Sequence, residues 1–169
     1  HLFAVIMLAT YALFARSYYL QSRRLLLAAA GTLAALIVGW SRHAVQRPEM
    51  FGLLCLAGLV WLIVSAEERS SSAAVIRCLR VACRFAVWAN LHGSFAVGLV
   101  VLGCWVVGRA VDVLLETGSI RELLREPEFS QRLWWLEAAV LGACVNPYGF
   151  DLLLKTVLFG SHPNLDSVI

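Results

Sequence analysis

Charge is the first thing this chain has little of. Only 15% of its 169 residues are Asp, Glu, Lys or Arg, while 60% are hydrophobic. Soluble domains hold roughly 45 to 50% apolar residues, so a water-soluble globular domain is excluded and lipid is the expected solvent. The formal net charge of +3 comes from 14 basic and 11 acidic residues. These fall between the apolar runs, as in membrane-flanking loops, and no nucleic acid is expected as a partner.

The common soluble chemistries are missing as well. The sequence has no Walker loop, no GxSxG elbow, no HExxH and no dinucleotide fingerprint. Its five cysteines, Cys55, Cys78, Cys83, Cys104 and Cys144, include no CxxC pair. They read as reduced packing residues, and neither a disulfide framework nor a zinc site is expected. The first residues carry no charged leader or cleavage site, so no signal peptide is expected. Residue 1 is His and the first apolar run is short, so the chain reads as an internal piece of a longer protein.

What is present is a series of apolar runs. A helix rises about 1.5 Å per residue, so roughly 20 residues cross a hydrocarbon core of about 30 Å. The expected fold is all-α, a single polytopic transmembrane bundle over residues 1–169. It has about five spans, near 2–15, 25–41, 48–66, 85–108 and 133–146. Short interfacial helices are expected near 73–84, 110–126 and 151–160.

Tyr18 and Tyr19 suit the headgroup level. Gly31, Ala35 and Gly39 make a small-residue stripe for close helix approach. Pro48 is placed where a first helical position tolerates a missing N–H. Arg77, Arg80 and Arg84 recur at helical spacing, either snorkelling to headgroups or holding a lipid phosphate. Ser119 and Glu122 form a capping box for a short surface helix that Pro127 is expected to stop.

The run from Phe85 to Gly108 has no charged side chain, yet it holds Asn90 and His92. Polar groups at membrane depth need partners in the bundle or a wet cavity. Two residues apart, they face different sides of a helix, which requires a kink or separate partners. Asn146-Pro147-Tyr148-Gly149 should break the helix that precedes it. Alternating the spans brings Asn90, His92, this break and His162 to one membrane face. The basic residues divide almost evenly between the two faces, so the positive-inside rule assigns no orientation.

The candidate substrate-binding residues are Asn90, His92, Asn146, Tyr148 and Arg84, with His92 and Asp151 as candidate catalytic groups. His92 is open to several readings: general base, phosphate or hydroxyl donor, packing residue, or haem or chlorophyll ligand. Asp151 and Asp166 suit a divalent cation held beside a phosphate, or a plain helix start for Asp151. Glu137, one turn inside a span, either functions or snorkels. No resident cofactor or metal site is expected.

Arg47-Pro48-Glu49, Trp88-Ala89-Asn90-Leu91-His92-Gly93-Ser94-Phe95 and Asn146-Pro147-Tyr148-Gly149 stand in an order that resembles a family of bacterial polytopic membrane proteins. Those carry RPQ, WANLHGGF and NPYG blocks. The match covers about the last two thirds of the chain, with Glu49 in place of Gln and Ser94 in place of Gly. The family is similar to the GT-C class of glycosyltransferases, multi-span enzymes that take a sugar from a polyprenyl-phosphate carrier on the extracytoplasmic side, and the location expected for this chain is the bacterial inner membrane. The resemblance implies that carrier as substrate, and a catalytic acid in an upstream extracytoplasmic loop outside this chain. The competing expectation is a non-catalytic membrane subunit, packed against other subunits and membrane lipids.

Overall fold

A computed structural model of the chain describes residues 1–43, 49–68 and 74–158. Within them every regular element is a helix. The expected Pro48 cap, His162 and Asp166 lie outside the described residues, as does the side chain of His43. The chain divides into two compact units, His1–Ser72 and Ala73–Ile169.

In the first unit α1 (Leu2–Ser22) packs against both α2 (Leu25–His43) and α3 (Glu49–Glu68). Its first run does not stop near residue 15: the helix carries Arg16 and both tyrosines to Ser22. There Arg23 turns left-handed at φ 55° and donates its N–H to the Tyr19 carbonyl at 2.8 Å. Thr10 and Ser17 are the buried polar residues of this helix. Each hydroxyl donates four residues back, to Ile6 and Leu13 at 2.8 Å, so neither needs an outside partner. Part of the glycine stripe has a visible purpose, since Gly31 lies flat against the Tyr18 ring. A Cβ there would sit 3.1 Å from it.

In the second unit α4 (Ala74–Leu91), α5 (Phe95–Thr117) and α7 (Pro127–Ala143) form the core, with α6 (Ile120–Arg125) and α8 (Phe150–Leu158) as short additions. The uncharged run from 85 to 108 is not one helix. His92, Gly93 and Ser94 turn the chain between α4 and α5, and Trp88 holds the turn by donating its indole N–H to the Ser94 hydroxyl at 3.0 Å. Of the segment expected as interfacial, 73–84, the described part from Ala74 on is therefore continuous with residues 85–91.

Similarly, residues 110–117 extend α5 until Gly118 ends it at φ 65°. Ser119 then caps α6 as the capping box requires, accepting from the Glu122 N–H at 3.4 Å. Pro127 starts α7 rather than stopping α6, because its missing N–H costs nothing at a first helical position.

Arg77 lies by Gln131 and Asn90 by Val145, so α4 and α7 run in the same direction, while Trp105 by Trp135 and Arg109 by Glu126 make α5 run opposite to α7. Gly142 sets the first packing: a Cβ on it would run into the Ala82 carbonyl of α4. Gly98 performs the same service for α5, where a Cβ would come within 2.9 Å of the Phe85 ring and nearer still to Trp88. Phe85, Trp88, Phe95, Leu102, Trp135 and Ala139 fill the space between, each almost fully buried.

Among the described residues, three helical segments are long and apolar enough to cross a membrane: Leu2–Ser22, Glu49–Ala66 and Phe95–Thr117. Leu25–Gly39 is a shorter apolar helix. Many of their large side chains face outward, Leu26 and Val38 at more than four-fifths exposure. Outward-facing apolar surface on such helices is what an integral membrane protein presents to lipid.

Candidate functional site

Asn90 sits one residue before the end of α4, and its side-chain amide reaches across to the helix break. It donates to the Ala86 carbonyl and to the Val145 carbonyl, each at 2.7 Å. The second bond joins positions 55 residues apart in sequence. It draws the α4–α5 turn and the Asn146-Pro147-Tyr148-Gly149 break to the same end of the second unit.

The break folds on itself. Asn146 donates its side-chain amide to the Ala143 carbonyl at 2.6 Å and the Gly149 carbonyl at 3.4 Å. Its side-chain oxygen accepts from the Tyr148 N–H at 2.8 Å, an Asx turn. Gly149 takes φ 56°, which its missing Cβ allows, and Phe150 then opens α8. Asn90 and Asn146 therefore spend their donors on main-chain carbonyls, and two of these, Ala143 and Val145, lie at the end of α7 or just beyond it.

His92 lies half-buried in the turn, and its Nδ1 accepts from the Ser94 N–H at 3.1 Å. In a neutral imidazole this places the proton on Nε2, so the ring presents a donor rather than a lone pair. A donor suits a phosphate or hydroxyl oxygen. A general base, or a haem ligand bonded through Nε2, needs the opposite tautomer.

Tyr148 is 69% exposed. Asp151 is exposed too, in the first turn of α8 where a carboxylate complements the helix dipole. Arg84 is half-buried and lies six residues before Asn90, about 9 Å back along α4. Arg77 stands farther away still, beside Gln131 near the start of α7. The arginine series thus climbs the helix away from the turn. No group of three or more His, Cys, Asp or Glu side chains that could hold a metal ion occurs among the described residues.

No family model, curated protein or solved structure matches the chain.

A second polar cluster occupies the opposite end of α7, beside the stretch that the sequence marks only as a short surface helix. Arg109 of α5 pairs with Glu126 at 2.9 Å and with Glu128 at 3.3 Å. Arg132 pairs with Glu128, one turn earlier on α7. It also donates to the Trp105 carbonyl at 2.9 Å, with its guanidinium 4.5 Å from the centre of the Trp105 ring. The Trp105 ring in turn meets Trp135 at 5.4 Å.

Burial pushes the Glu126 carboxyl up, but hydrogen bonds from Arg109 and the Phe129 N–H, with the charges of Arg109 and Arg132, hold it below its ordinary value. Glu126 also caps α7 through that Phe129 bond. The signal for this cluster was available as Glu-Pro at a helix start with Glu128 and Arg132 four apart. Its link to Arg109, across a helix and a loop, was not.

Proposed function

We propose that the chain is part of a polytopic bundle with about five crossings, whose hydrogen-bonded knot at one membrane face holds the polar head of a lipid-linked substrate. The observation that carries this reading is the 2.7 Å bond from Asn90 to the Val145 carbonyl. It supports the reading because it draws together the two chain breaks that carry His92, Tyr148 and Asp151, and irregular backbone of this kind suits a bundle's end that meets water and headgroups.

In this arrangement the His92 Nε2–H and the Tyr148 hydroxyl donate to phosphate or sugar oxygens, and the Asp151 carboxylate accepts from a sugar hydroxyl. Asn90 and Asn146 act as positioning residues. Following the GT-C resemblance, the substrate class is a polyprenyl-phosphate sugar in a bacterial inner membrane.

The test uses the full-length protein in nanodiscs with a photoactivatable polyprenyl-phosphate sugar. Labelling of the second unit is expected to fall about tenfold in His92→Ala and in Tyr148→Phe, the loss of about 1.4 kcal/mol of binding. Undiminished labelling in both variants overturns the reading.

A specific observation favours a second reading, a non-catalytic subunit of a larger membrane complex: the amides of Asn90 and Asn146 are bonded to their own chain. Under it the full-length protein co-purifies with other membrane subunits at fixed stoichiometry, and His92→Ala leaves that ratio unchanged.

A further inference from the structure

Away from the knot, α4 and α7 enclose a groove of about 770 Å³. From Pro127 to Leu141 it follows α7 for about 21 Å, at 1.5 Å per residue. Its polar groups gather at one end. Arg77, Ser130 and Gln131 line the groove near the helix starts, and with the Gln131 amide turned to satisfy both of its ends, its oxygen accepts from the Arg77 guanidinium at 3.0 and 3.3 Å. Beyond them the walls are Leu79, Ala82, Trp134, Ala138 and Leu141, without a charged side chain. The carboxylate next along α7, Glu137, is exposed and does not line the groove.

This distribution of charge and apolar wall matches one kind of molecule. An acyl chain fills one leaflet, about 15 Å of the hydrocarbon core, and a phosphate sits at its outer end. A guanidinium meets phosphate with a planar fork of donors, and basic pockets between membrane helices take anionic headgroups. We infer that the α4–α7 groove binds one anionic glycerophospholipid, with its phosphate on Arg77 and Gln131 and an acyl chain laid along Leu79, Trp134 and Leu141. The site is separate from the knot, and it stands whether or not the knot binds a substrate.

The experiment is native mass spectrometry of the full-length protein in detergent, offered equal amounts of dioleoyl phosphatidylglycerol and dioleoyl phosphatidylcholine. One phosphatidylglycerol is expected to be retained in preference, by about fivefold, the worth of roughly one arginine near an anionic lipid. Arg77→Gln should abolish that preference. Arg80→Gln, a neighbour on α4 outside the groove, should keep it. Ala138→Phe should expel both lipids by filling the cavity.

Equal retention of the two lipids by the unaltered protein overturns the proposal. So does a preference that survives Arg77→Gln, or one that Arg80→Gln removes equally, which would mark general basic charge. A protein dimer dissociated by Ala138→Phe would mean that a second copy covers the groove, and would overturn it too.

Discussion

At the scale of single residues, two side chains act by answering main-chain groups that helix ends leave open. Asn90 meets the Val145 carbonyl and Glu126 meets the Phe129 N–H. Asn90→Ala removes two donors and leaves the Val145 carbonyl without its partner. It is expected to cost about 1 to 3 kcal/mol of stability, measured as a lower thermal midpoint in detergent.

Glu126 makes a prediction about acid. Its carboxyl is held below the ordinary value in the folded chain, so the stability it contributes is full above the unfolded carboxylate value of about 4.3. That contribution is lost as pH falls through the lowered folded value. Thermal midpoints of the unaltered protein and Glu126→Gln, compared across pH, should differ at pH 6 and converge as acid protonates Glu126. A gap of constant size down the whole acid range would contradict this account.

At the scale of elements, packing in the second unit turns on where a helix has no Cβ. α4 and α7 approach so closely at Gly142 that a methyl group meets backbone, which cannot rotate away. Gly142→Ala should destabilise the protein by about 1 to 3 kcal/mol, the usual cost of overpacking. Gly103 on α5 is the control, because a Cβ there meets nothing within 4 Å. Gly103→Ala should therefore be neutral, or stabilising by up to about 1 kcal/mol through helix propensity. Equal losses from the two substitutions, in parallel thermal melts, would remove the close α4–α7 approach as the reason.

For the molecule as a whole, the exposed apolar faces predict where lipid lies. Cys104 is exposed on the apolar stretch of α5. With that helix across a bilayer, lipid covers the thiol. In nanodiscs Cys104 should resist a membrane-impermeant maleimide and should react once the protein is denatured in SDS. Prompt labelling in the nanodisc would show that α5 lies in water. A variant with the other four cysteines replaced by serine isolates the signal.

The helices themselves were legible in the residues. Run length, the Ser119 capping box and the helix-breaking Asn146-Pro147 act over a few positions, and a short window of sequence contains all of their physics. The turn at His92-Gly93-Ser94 was hidden because an uncharged run suits a long helix as well as two shorter ones. What closes the turn is an indole N–H on the Ser94 hydroxyl together with the Ser94 N–H on His92 Nδ1.

The Asn90–Val145 bond and the parallel course of α4 and α7 belong to tertiary structure alone. Every position in the chain looks the same to an amide seeking a carbonyl, since each offers one. Composition thus determined that this protein is made of apolar helices. Only their packing decided which helix ends meet, because backbone groups carry no mark in the sequence of the partner they will find.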